Sequence, residues 1–123
     1  MKRSRNPASP SWAVVRAAER PAVALPRHGR HRLALAYANR YHVGMSSLGF
    51  QTIYRLFNQI DDVVCERVFL PPKQELQAQM ASGAPLLTLE SQTPVRDFDV
   101  LAFSVSFEWD YTNVVSMLRL AGL

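Results

Sequence analysis

Residues Tyr41-His42-Val43-Gly44-Met45-Ser46-Ser47-Leu48-Gly49-Phe50 stand between an apolar run, Leu33-Ala34-Leu35-Ala36-Tyr37-Ala38, and a helical pattern carrying Ile53, Leu56, Phe57 and Ile60. A strand that ends in a loop bearing glycine and serine, and then opens a helix, marks where open α/β sheets bind ligands. The helix N-terminus leaves backbone N–H groups unpaired, and glycine lets a ligand come close to the main chain. The pattern places a crevice at this end of the first strand. It does not name the occupant.

The rest of the chain supplies the sheet that such a crevice needs. Residues 32–38 form an apolar run without strict alternation, as expected of a strand covered on both faces. A first helix is expected from Ser46 or Ser47 to about Asn58 or Gln59. Asp61-Asp62 breaks it, and residues 63–70 read as a second strand, closed by Pro71-Pro72. Pro72 suits the first position of a helix through about Ser82, stopped by Gly83-Ala84-Pro85. Residues 86–91, bracketed by Pro85 and Pro94, read as a short extended piece or an edge strand. Residues 98–106 are the best strand, apolar and β-prone, and a last helix runs from about Trp109 to Ala121. This βαβ alternation predicts an open, mainly parallel α/β sheet with right-handed crossovers. The helix-and-glycine ending Leu118-Arg119-Leu120-Ala121-Gly122-Leu123 leaves that sheet looking incomplete at its C-terminal end, as in the leading part of something longer.

At 123 residues with 48% hydrophobic content the chain makes at most one ordinary domain. Its net charge of +4 is unevenly spread. Lys2, Arg3, Arg5, Arg16, Arg20, Arg27, Arg30 and Arg32 face Glu19 alone, whereas the remainder is mildly acidic. Residues 1–31 therefore read as a basic leader kept irregular by Pro7, Pro10, Pro21 and Pro26, with a short helical patch from Trp12 to Glu19. Residues 32–123 form the α/β part. A basic arm is drawn to RNA or anionic surfaces through counterion release, but no aromatic stacking surface accompanies it, and a solvated tail is the preferred reading. The leader lacks the apolar core of a targeting signal, and no segment approaches a membrane span. With Cys65 alone there is no disulfide framework, which points to a cytoplasmic protein.

Few residues can carry chemistry. His42 is the single histidine beyond the leader and lies in the loop where a ligand would meet it, without the neighbours a metal site needs. Gly44, Ser46, Ser47 and Gly49 would shape that loop. Ser104 and Ser106, with Glu108, lie at the carboxyl end of the best strand beside Phe107, Trp109, Asp110 and Tyr111. Hydroxyls there can bond a nucleotide-like or corrin-like ligand and the aromatics can wall it, or Ser106 and Asp110 simply cap elements. Cys65 reads as a small core residue. The acidic pair of a phosphoacceptor domain is misplaced here, and Gly-x-Gly-x-x-Gly and Walker loops are absent.

Three blocks in order resemble a known family: Leu33 to Phe57 with the loop above, Val64-Cys65-Glu66-Arg67-Val68-Phe69-Leu70-Pro71, and Phe98 to Glu108 with Asp110-Tyr111. They look like the start of a group of radical S-adenosylmethionine (SAM) proteins, which begin with a cobalamin-binding-like domain and continue into a radical SAM barrel. The resemblance covers residues 32–123 and implies a Rossmann-like, cobalamin-binding-like accessory domain that sits over the barrel and shapes access to its cluster. In such proteins a [4Fe–4S] cluster, held by Cys-x-x-x-Cys-x-x-Cys, cleaves S-adenosylmethionine reductively to give a radical. With Cys65 alone, both groups would belong to a catalytic part elsewhere, and the chain carries no catalytic residue and no metal ligand of its own.

The resemblance also raises cobalamin as a ligand. Aligning Asp-x-His-x-x-Gly on Gly44 puts Asn39 and Tyr41 where aspartate and histidine belong, with His42 one residue out of register. A Ser-x-Leu element would correspond to Ser104-Val105-Ser106. The expectation is thus a cobalamin-binding-like accessory domain partnered by a radical SAM barrel in a longer or companion chain, with His42, Gly44, Ser46, Ser47, Gly49, Ser104 and Ser106 facing the ligand. The competing expectations are an RNA-associated module acting through the basic leader, and a non-functional remnant.

Overall fold

The three most apolar runs form one parallel sheet in the computed structural model, which describes residues 12–19 and 28–123. Strand β1 (His31–Tyr37) lies in the middle, with β2 (Val63–Phe69) on one side and β3 (Val100–Ser104) on the other. Leu33 stands opposite Cys65 and Val100, and Tyr37 opposite Phe69 and Ser104. The expected open, parallel α/β sheet is what the chain builds. The stretches of the basic leader at residues 1–11 and 20–27 lie outside the described residues.

Side chains alternate across each strand, so β1 feeds two cores. Leu35 and Tyr37 pack with Phe50 and Tyr54 of helix α3 (Leu48–Phe57), together with Cys65, Phe69 and Leu89. Ala34 and Ala36 point the other way, to Val68, Leu70, Leu86 and the Met117, Leu120 and Ala121 stripe of α5 (Asp110–Ala121). Helix α4 (Lys73–Ser82) contributes Leu76 to this second core. The crossovers from β1 to β2 and from β2 to β3 thus lie on opposite faces, as right-handed connections running in opposite directions require. Helix α1 (Trp12–Ala18) lies on the α3 side, where Trp12 and Val15 meet the first core.

Punctuation read from the sequence holds locally. Ser47 is the N-cap of α3, its hydroxyl accepting from the Phe50 N–H at 3.3 Å. Gly83 and Gly122 end α4 and α5 with φ of 72° and 76°. Three points differ. Residues 41–45 form a short helix, α2 (Tyr41–Met45), where a loop is expected. Residues 86–91 make a single antiparallel bridge, Leu87 to Pro94, so of the two alternatives the short extended piece holds and the edge strand does not. Strand β3 stops at Ser104 because β1, its pairing partner, ends at Tyr37.

Asn58, at the end of α3, ties that helix to β2. Its amide donates to the carbonyls of Tyr54 at 3.0 Å and Cys65 at 3.1 Å, and its oxygen accepts from the Cys65 N–H at 2.9 Å. The residue is buried, so no water replaces these bonds readily. Asn58→Ala is expected to lower the unfolding free energy by about 2–3 kcal/mol, measured by urea denaturation, whereas an exposed neighbour such as Gln59→Ala leaves it nearly unchanged.

Candidate functional site

Because β2 and β3 flank β1 on opposite sides, the strand order reverses between β1 and β3, and their carboxyl ends frame the crevice where open α/β sheets take ligands. Side chains and backbone knit the two loops together there. The Ala38 N–H donates to the Ser104 carbonyl at 3.3 Å, and the Tyr37 hydroxyl to Ser106 Oγ at 3.1 Å. Asn39 Nδ2 reaches Asp110 Oδ1 at 3.1 Å, while Asn113 Nδ2 donates to the Ala38 carbonyl at 2.9 Å. Asp110 opens α5. It is buried, and its Oδ2 lacks a protein partner among the described residues. Phe107, Trp109 and Tyr111 stand exposed beside this point, an aromatic rim on the crevice.

The expected site residues divide by use. Ser104 and Ser106 sit at the crevice, joined to the end of β1. Gly44 is consumed by packing: a β-carbon there would come within 2.6 Å of Phe69 Cε1 and 3.0 Å of Tyr37 Cγ. The Ser47 hydroxyl caps α3, and the Ser46 hydroxyl donates to the His42 carbonyl at 2.6 Å. His42 and Gly49 are exposed, and a β-carbon at Gly49 would meet only Ser47 Oγ, at 3.9 Å. Among the described residues, no hydrogen bond joins His42, Ser46, Ser47 or Gly49 to Ser104 or Ser106.

Sequence reading passed over a second centre, at Arg67. Its side chain, on the α3 face of β2, is 4% exposed. Nε donates to Glu90 Oε1 at 2.7 Å, while NH1 and NH2 hold Glu19 Oε1 and Oε2, each at 2.7 Å. The Arg67 N–H adds a 2.7 Å bond to Glu90 Oε2, and Tyr54 lies under the guanidinium, its ring centroid 4.7 Å away. The Tyr41 hydroxyl donates to Glu19 and that of Tyr54 to Glu90, both at 2.8 Å. Burial works against the charge of Arg67, but the hydrogen bonds to Glu19 and the charge of Glu90 outweigh it and raise its pKa. Burial likewise disfavours the Glu19 anion, yet its bonds to Arg67 and the Arg67 charge leave its carboxyl below the ordinary value of 4.5. Burial, then the neighbouring Glu19, pushes the Tyr41 phenol up to about 12. The available signal was a charge inside a strand covered on both faces, which has to be paired.

Adjacent Glu66 points to the opposite face and is satisfied separately. Thr88 and Ser91 hydroxyls each donate to its Oε2 at 2.6 Å, and Arg32 stands 3.6 Å from its Oε1.

Residues 49–123 match the family model described as radical SAM proteins, N-terminal. The chain belongs to this radical SAM N-terminal family. Searches of curated proteins and of solved structures gave no match. The match takes in α3 through α5, hence Ser104, Ser106, Asp110 and the aromatic rim, while α1, β1 and α2 precede it. The [4Fe–4S] cluster of radical SAM proteins, held by three cysteines, does not fit the residues of this chain. Its one cysteine, Cys65, is buried in β2, and burial first, then the charge of Glu90, pushes the thiol up to about 12. No group of three or more His, Cys, Asp or Glu side chains is placed to hold a metal among the described residues. Histidine ligation of cobalamin has no support at position 41 either, since Tyr41 is committed to Glu19. No helix among the described residues is long and apolar enough to cross a membrane.

Gly44 and Gly49 are expected to part company on substitution. Gly44→Ala forces Phe69 or Tyr37 to move and costs about 1–3 kcal/mol, whereas Gly49→Ala is neutral or stabilising by up to about 1 kcal/mol; thermal or urea unfolding of the two variants checks both. The Arg67 centre has its own acid signature. A depressed folded-state pKa means that the contribution of Glu19 is complete above its ordinary value of 4.5 and is lost as pH falls through the lower folded value. In a Trp109→Phe background, Trp12 fluorescence is expected to change in that window, and Glu19→Gln to remove the step.

Proposed function

We propose that this radical SAM N-terminal domain serves as the accessory part of a radical SAM protein, lying over the barrel and shaping access to its cluster through the β1–β3 crevice. The family match to residues 49–123 carries the reading. The aromatic rim of Phe107, Trp109 and Tyr111 supports it, because large exposed aromatics at a loop-lined sheet end are suited to contact with a partner or ligand. Reductive cleavage of S-adenosylmethionine is the barrel's chemistry, to which this chain contributes shape and no ligand. The finer part of the proposal is that the crevice takes cobalamin without histidine ligation. Ser104 and Ser106 would supply hydroxyls and the rim an apolar wall.

Two measurements separate these parts. The coding DNA around this gene is expected to encode Cys-x-x-x-Cys-x-x-Cys, in frame or in a companion reading frame; its absence from the whole genome would sink the accessory reading. For cobalamin, equilibrium dialysis against hydroxocobalamin is expected to retain the corrin, with retention weakened at least about tenfold, ~1.4 kcal/mol, by Trp109→Ala with Tyr111→Ala. No retention by the folded chain removes cobalamin and leaves the barrel partnership standing.

A further inference from the structure

Helix α1 has seven residues and none of them is buried, yet it is ordered against the domain. A helix this short does not persist alone in water, so contacts outside it must hold it. Those contacts fall at Trp12, Val15, Arg16 and Glu19, one face of a helix at i, i+3, i+4 and i+7. Trp12 lies on Tyr41 and Phe69 with ring centroids 6.2 and 6.1 Å away, and Val15 packs on the same core. Arg16 comes within 3.7 Å of Glu90. Glu19, just past the helix, takes both outer nitrogens of Arg67.

The receiving surface is built by residues outside α1. Glu90 holds Arg67 through Nε and the backbone N–H, and the Tyr54 ring lies under the guanidinium. The free edge of the fork, NH1 and NH2, is thereby aimed at α1, with the Tyr41 hydroxyl beside it and Met45 Sδ 3.3 Å from NH1. A fork oriented in advance binds a carboxylate bidentately with little further ordering. We propose that this groove is a docking site for an amphipathic helix presenting tryptophan at one end and a carboxylate seven residues on, that Arg67 reads the carboxylate, and that α1 is its exchangeable in-chain occupant. Release of α1 opens the fork to the same helix supplied in trans.

The test uses the full chain and a fluorescein-labelled synthetic peptide of residues 10–21, followed by anisotropy. Trp12→Ala in the chain loosens its own α1 while leaving Arg67 and Glu90 untouched. That variant is expected to bind the peptide at least about tenfold more tightly than the unaltered chain, whose groove is filled. A peptide carrying Glu19→Gln should bind at least about tenfold more weakly, the loss of a charge-assisted hydrogen bond. Raised salt should weaken the unaltered peptide more than the substituted one. Equal binding to both chains, equal binding of both peptides, or no binding to a Trp12→Ala chain that still unfolds cooperatively would each overturn the proposal. If Trp12→Ala does not fold, Val15→Ala replaces it, with the same outcomes.

Discussion

A guanidinium buried within an apolar strand cannot be left unpaired, since desolvating it alone costs several kcal/mol or more. Arg67 imposes that requirement on this fold. Satisfying it draws in Glu90 from the segment after α4 and Glu19 from just past α1, and the Tyr41 and Tyr54 hydroxyls then donate to the two carboxylates. One charge therefore organises parts of the chain that are far apart in sequence, and it fixes how α1 and residues 86–93 lie on the sheet. Hydrophobic burial builds the layers. The paired charge decides where the irregular pieces settle.

The crevice between β1 and β3 is organised by different means. Neutral hydrogen bonds from Tyr37 and Asn113 fasten the loops, and Asn39 adds a bond to the carboxyl of Asp110, which opens α5. Ser106 and the aromatic rim of Phe107, Trp109 and Tyr111 stay exposed at this end of the sheet. Tyr41 connects the two regions, since its ring packs on Phe69 and its hydroxyl joins the Arg67 centre while its backbone begins α2 at the crevice side.

Much of this was legible in the sequence, for physical reasons that also set the limit. Runs such as Leu33 to Tyr37 and Val63 to Phe69 declare strands because every position must be apolar or paired, and Ser47, Gly83 and Gly122 declare ends through local backbone chemistry. Helix α2 was hidden because Gly44, amid His42 and Ser46, reads as loop, and what stabilises the turn is the Arg40 carbonyl accepting from the Val43 and Gly44 N–H groups. The role of Gly44 depends on Phe69, a non-local neighbour that no spacing reveals. Convergence of the serine loop on the first strand followed from topology. The partners of Arg67 did not, because an unpaired charge signals that partners exist without saying which.

Consecutive Glu66 and Arg67 point to opposite sides of β2, one into a nest of hydroxyls and the other into a pair of carboxylates. A shift of β2 by one position against β1 would turn Glu66 toward Glu19 and Glu90 and strand Arg67 among Thr88 and Ser91. Such a slip would also take Phe69 away from Tyr41 and Phe50. The charged pair thus works as an electrostatic ratchet tooth, admitting one alignment of the edge strand and rejecting its neighbours by repulsion.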